Sequence, residues 1–273
     1  MFTSEGCGGG FVNASVFRGI AQGASGTVAT VELTNASDAS ISITAQASKA
    51  GANGFAGAFL ASAIAQTAVG GAATVALTND GIIEIGGQAL VSATQFTALV
   101  RATVEGIHQF AAGSTASAVL INNGNLDLNA AATAFAPFGA VAVAQLPDGI
   151  SQQVTGGTAS FRNGGTLAIN ASALANGGTA AVANAAVGTF GGSGAGIVQV
   201  VNAFGGQAGS AALINSGSIV VSANAVASAT GIATGTATPV AASANALAFG
   251  AAQQVFGHDG DANAQLANDG SLD

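Results

Sequence analysis

The chain has 273 residues, of which 6% are charged, 66 are Ala, 41 are Gly and none is Trp or Tyr, whereas typical soluble domains carry about 25% charged residues. This excludes a Leu-faced, Lys- and Glu-rich helical globule, and the 49% apolar fraction excludes a disordered chain. The net charge of -8, with scattered Arg18, Lys49, Arg101 and Arg162, argues against nucleic-acid and anionic-membrane partners, and two His, one Cys and no Tyr argue against an enzyme.

Residues 1–18 (MFTSEGCGGGFVNASVFR) show no charged segment leading into an apolar core, so no secretory signal is read there. They are expected to form an N-terminal segment or cap, with Cys7 an isolated thiol. Residues 19–273 read as a single repeat domain whose last repeat is incomplete. No stretch is apolar and long enough to be a transmembrane helix.

The first recurring element is Gly19-Ile-Ala-Gln22. It returns as Gly106-Ile-His-Gln109, Gly149-Ile-Ser-Gln152 and Gly196-Ile-Val-Gln199, with a degenerate Ala252-Gln-Gln254 that leaves the glutamine only loosely phased. The second is an Asn corner. It appears as Leu33-Thr-Asn35-Ala-Ser37, Leu77-Thr-Asn79-Asp-Gly81, Leu120-Ile-Asn122-Asn-Gly124, Phe161-Arg-Asn163-Gly-Gly165, Leu213-Ile-Asn215-Ser-Gly217 and Leu266-Ala-Asn268-Asp-Gly270. Successive asparagines are 44, 43, 41, 52 and 53 residues apart, so the two long intervals hold insertions of about ten residues.

Side chains alternate with period two around these elements, as in Thr74-Val-Ala-Leu-Thr78, Leu126-Asp-Leu128 and Ser218-Ile-Val-Val-Ser222, which is the mark of strands. Phenylalanines keep a phase as well. Phe110, Phe204 and Phe256 stand 11 or 12 residues before an Asn, and Phe96, Phe138 and Phe190 stand 25 or 26 before one. They are expected as aromatic rungs of a continuous core. The expected fold is all-β, a β-solenoid of about six stacked units of 41–53 residues. Asn35, Asn79, Asn122, Asn163, Asn215 and Asn268 would form an amide ladder. Gly81, Gly124, Gly165, Gly217 and Gly270 would supply the positive φ of a sharp corner.

Candidate chemistry is sparse. His258-Asp259-Gly-Asp261-Ala-Asn263 begins like a calcium loop, but Ala264 stands where Gly is needed and no Glu follows, so Asp259, Asp261 and Asn263 are a weak calcium candidate and otherwise no metal or cofactor is expected. Neither His has an evident catalytic partner. An ice-binding face would need ranked threonines, and the rank Thr34, Thr78, Ile121, Arg162, Ile214, Ala267 is broken.

The phased Asn, Gly and Gln elements in an Ala-rich chain resemble bacterial extracellular repeat proteins built as β-solenoids, namely large exoproteins, autotransporter passengers and adhesins. They are more distantly similar to curli-type functional amyloid subunits. The resemblance implies a secreted or cell-surface structural protein without a catalytic site. The last segment, Gln265-Leu-Ala-Asn-Asp-Gly-Ser-Leu-Asp273, stops in mid-motif, and no capping helix is evident. The expectation is therefore a homopolymer assembling end to end through open β-edges, as a filament or biofilm-matrix subunit, with an adhesin passenger segment as the rival reading.

Overall fold

The computed structural model describes residues 2–7, 10–188, 194–230, 241–258 and 260–273. Strands follow one another without an intervening helix among them. The first coil holds β1 (Phe2–Cys7), β2 (Phe11–Val16) and β3 (Ile20–Asn35), and the second β4 (Ser40–Gly51), β5 (Gly54–Leu60) and β6 (Ile64–Asn79). The third comprises β7 (Ile82–Ala93), β8 (Thr97–Val104) and β9 (Ile107–Asn122), the fourth β10 (Asn125–Ala136), β11 (Gly139–Leu146) and β12 (Ile150–Asn163). The fifth has β13 (Thr166–Gly177), β14 (Ala180–Val187), β15 (Ile197–Ala203) and β16 (Gly209–Asn215). The sixth has β17 (Ser218–Ala229), β18 (Ala241–Ala248), β19 (Ala251–Gly257) and β20 (Ala262–Asn268), and β21 (Ser271–Leu272) follows it.

Every pairing is parallel and joins one coil to the next. β1-β4-β7-β10-β13-β17-β21 form sheet A, β2-β5-β8-β11-β14-β18 form sheet B, and β3-β6-β9-β12 continue through β15 and β16 to β19 and β20 as sheet C. The chain is a β-solenoid. Residues of equal phase lie above one another: Leu126 pairs with Ile83 on one side and Leu167 on the other. Burial alternates strictly along β10, because successive side chains point to opposite faces.

Sheets A and B face each other across the main core. Leu126, Leu128 and Ala130 of β10 and Ala140, Ala142 and Ala144 of β11 belong to one buried cluster. Sheet C behaves differently. Its strands start and finish in that core, with Ile107 and Leu120 of β9 both buried there. Between them, Ala111, Ala116 and Ala118 belong to a second, smaller cluster with Val75, Val154 and Val201. Gln66 Nε2 donates to Ala76 O at 2.8 Å, ten residues along the same strand. A straight strand would hold those residues roughly 33 Å apart, so each sheet C strand of the first four coils doubles back as an arch, and in the last two coils the halves of the arch are β15 with β16 and β19 with β20. The bend falls at Gly70-Gly71, Gly113 and Gly156-Gly157, where an added Cβ would strike a carbonyl of the preceding coil. The Ala and Val lining lets the two halves close on each other. Each repeat is thus one coil with an arch on its third side.

Several sequence expectations change. Within the N-terminal segment 1–18, β1 pairs with β4 and β2 with β5, so both strands are parts of the first coil. The added length of the long intervals falls between β14 and β15, between β15 and β16, between β17 and β18, and between β19 and β20.

The corner glycines Gly81, Gly124, Gly165, Gly217 and Gly270 do not have positive φ. They are glycine because coils stack tightly. A Cβ on Gly124 would meet Gly81 O, one on Gly165 would meet Gly124 O, and one on Gly217 would meet Gly165 O.

Phe96, Phe138, Phe204 and Phe256 are about half exposed and Phe110 is half-buried, so none is a core rung, and Phe190 lies outside the described residues. Phe96 and Phe138 are neighbours at the outer turn between sheets A and B, and Phe110 and Phe256 sit at different registers of sheet C, opposite Thr67 and Asn202. Their common distance from Asn arises because arch length varies. The buried aromatic rung is Phe161, between Leu120 and Leu213.

Candidate functional site: two amide ladders and a corner cleft

Each coil turns from sheet C into sheet A at its asparagine. Asn35 Nδ2 donates to Asn79 Oδ1, Asn79 to Asn122, Asn122 to Asn163, Asn163 to Asn215 and Asn215 to Asn268, all at 2.7–2.8 Å. The second N–H of each reaches the carbonyl that opens the next sheet A strand: Ile82, Asn125, Thr166, Ser218 and Ser271 in turn, at 2.8–3.0 Å. Asn79 and Asn122 have no exposed surface. A buried amide left unpaired costs about 1–3 kcal/mol, so satisfying both donors fixes where each coil must turn.

A second ladder lies where the main core meets the arch. Gln66 Nε2 donates to Gln22 Oε1, Gln109 to Gln66, Gln152 to Gln109, Gln199 to Gln152 and Gln253 to Gln199, at 2.7–3.0 Å. The other N–H of each crosses the arch to a backbone carbonyl: Glu32, Ala76, Val119, Ser160, Ala212 and Gln265. The glutamine is therefore strictly phased. Gln66 escapes the sequence search because Ala63 replaces the leading Gly, and the last rung is Gln253 rather than Gln254. The signal was nevertheless present, since Gln22, Gln66 and Gln109 each stand 13 residues before an Asn rung.

No known family, curated protein or solved structure matches this chain.

The ladders carry no reactive group. Polar chemistry gathers instead at the corner between sheets B and C. Two outward rows of sheet C run Ala21, Ala65, His108 and Gly23, Thr67, Phe110. Small residues in the first two coils give way to an imidazole and a phenyl ring in the third, and this step leaves a cleft of about 580 Å³. Its rim comes from the stacked corners: Arg18, Ser62, Glu105 and Asp148. Ser62 is the one non-glycine among the described residues with positive φ, at 63°.

Burial holds the His108 imidazole below the usual histidine range, against the opposing pull of Asp148 and Glu105. Burial, with Glu105 adding to it, pushes the Asp148 carboxyl up, while His108 and a backbone hydrogen bond from Ala195 pull the other way. Asp148 Oδ1 is shielded and has no hydrogen-bond partner. His108 thus has two acidic neighbours that the sequence reading did not find. Equal phase reveals them: Glu105 and Asp148 each stand immediately before a Gly-Ile-x-Gln element.

Elsewhere the sites are plain. His258 stacks on Phe204 with centroids 5.3 Å apart. Of the weak calcium candidate, Asp259 lies outside the described residues, and Asp261 and Asn263 are exposed. Among the described residues no group of His, Cys, Asp or Glu is placed to hold a metal ion, and no helix is long and apolar enough to cross a membrane. On the outer face of sheet A, Asp127 pairs with Glu84, and burial followed by the Glu84 charge raises its carboxyl above the usual range.

Proposed function

We propose that this chain is a structural subunit of an extracellular filament or surface matrix, in which coils of neighbouring copies stack as coils stack within one copy. The observation that carries the reading is that both amide ladders run through all six coils in one register. Each coil face therefore presents the same Asn and Gln rungs and edges of the same three sheets to whatever lies above or below it, and a surface that fits its neighbour within the chain fits the corresponding surface of another copy. The low charge density leaves little repulsion between stacked faces. The extracellular placement rests on the likeness to exoprotein and adhesin repeats.

The test is electron microscopy with diffraction on purified protein at neutral pH. Filaments with an axial spacing of ~4.8 Å are expected. Particles that stay single at all concentrations would overturn the proposal.

A further inference from the structure

We infer that the corner cleft is a binding site for a neutral polyhydroxylated ring, a pyranoside, held against the solenoid's flank. The ligand class follows from the lining. Glu105 and Asp148 offer acceptors, Arg18 offers donors, Ser62 and Thr67 offer hydroxyls, and Phe110 forms part of the wall. An anion would meet two carboxylates, and an organic cation would meet Arg18. A metal ion would need three ligands of suitable geometry, and the described residues supply no such group. Mixed donors and acceptors beside an aromatic surface suit a ring with hydroxyls at its edge and C–H groups on its face.

Shape and an unmet hydrogen bond agree with this. The floor of Ala21, Gly23 and Ala65 carries only small side chains, Thr67 stands beside it, and His108 and Phe110 rise one coil further on. A rigid planar-faced ring seats against such a step, whereas a flexible chain gains less from it. Asp148 Oδ1 has no hydrogen-bond partner in the free protein. The terminal torsion of Asp is soft, so a small rotation lets this oxygen accept from an incoming hydroxyl. The polar and aromatic side chains named here point outward or sit on corners, and Gln22, the first glutamine rung, is the one ladder residue that also lines the cleft.

The experiment is ligand-observed NMR and calorimetry on the full chain, with the methyl glycosides of glucose, galactose and mannose as probes. At least one is expected to bind with millimolar affinity. Glu105→Gln and Phe110→Ala should each weaken that binding tenfold or more. Ala65→Leu, which fills the floor without removing a polar group, should abolish it. Asp127→Asn on sheet A should leave it unchanged. Circular dichroism of each variant separates lost binding from lost fold. No binding by any of the three probes at concentrations well above millimolar, or binding that survives Ala65→Leu, overturns the inference. So does tighter binding of Mn²⁺ or spermidine at the same residues, which would assign the cleft to cations.

Discussion

At the scale of single residues, the solenoid depends on groups that leave no room for alternatives. Asn122 donates to Asn163 Oδ1 and Thr166 O and accepts from Asn79 with no exposed surface. Asn122→Asp replaces two donors with an acceptor and buries a charge, and a loss of about 3 kcal/mol is expected in urea unfolding at pH 7. Gly124→Ala should cost about 1–3 kcal/mol in the same measurement, because its methyl group meets Gly81 O although the backbone angle is ordinary. Gly86 is the control. A Cβ there would lie 3.7 Å from the Thr44 methyl and 3.9 Å from Asn129 O, so Gly86→Ala should be neutral or slightly stabilising. The Asn rungs were legible in the sequence because their motif is compact and repeated. The cause of the corner glycines was not, because it lies in the neighbouring coil, some 40 residues away in sequence.

At the scale of elements, sheet C was the least legible. Its alternation identifies a strand, but period-two patterning reads the same whether the strand runs straight or doubles back. The Gln rows that mark the arch were obscured by Ala63 and by the varied bend length that also misled the Phe phasing. The outer face of the arch carries His108, whose folded-state pKa lies below 6.5. The neutral imidazole is favoured in the fold, so its contribution is present in full above pH 6.5 and is lost as pH falls through the folded value. His108→Gln should therefore flatten the decline of Tm between pH 7 and 5, and a decline as steep as in the unaltered protein would show that burial of the imidazole contributes nothing. On sheet A the sign is opposite. The pKa of Asp127 is raised above 3.8, so the fold is favoured while that carboxyl is protonated and loses the benefit as pH rises through the folded value. Asp127→Asn should raise Tm at pH 7 and leave it unchanged at pH 3, as read by thermal unfolding at the two pH values.

At the scale of the whole molecule, coils are interchangeable layers, and stability should follow nearest-neighbour rules. Deleting residues 80–122 removes β7 to β9 and joins Asn79 to Asn123, with the spacing of one rung conserved. The shortened chain should keep its β circular dichroism per residue, with Tm lowered by less than about 10 °C. Collapse to an unfolded chain would show that the third coil is indispensable. The two ladders also differ in direction. Each Asn donates toward the next coil and each Gln toward the preceding one. Every amide is a small electric dipole, so the asparagine column and the glutamine column point opposite ways along the axis. An α-helix accumulates field at its ends as it lengthens because all its amides align. Here six units point against six, and the side-chain polarisation cancels layer by layer however many layers are stacked. Replacing the glutamine column with leucine would thus do more than remove hydrogen bonds: it would leave the asparagine column uncompensated, and the net dipole of the ladders would grow with every layer stacked.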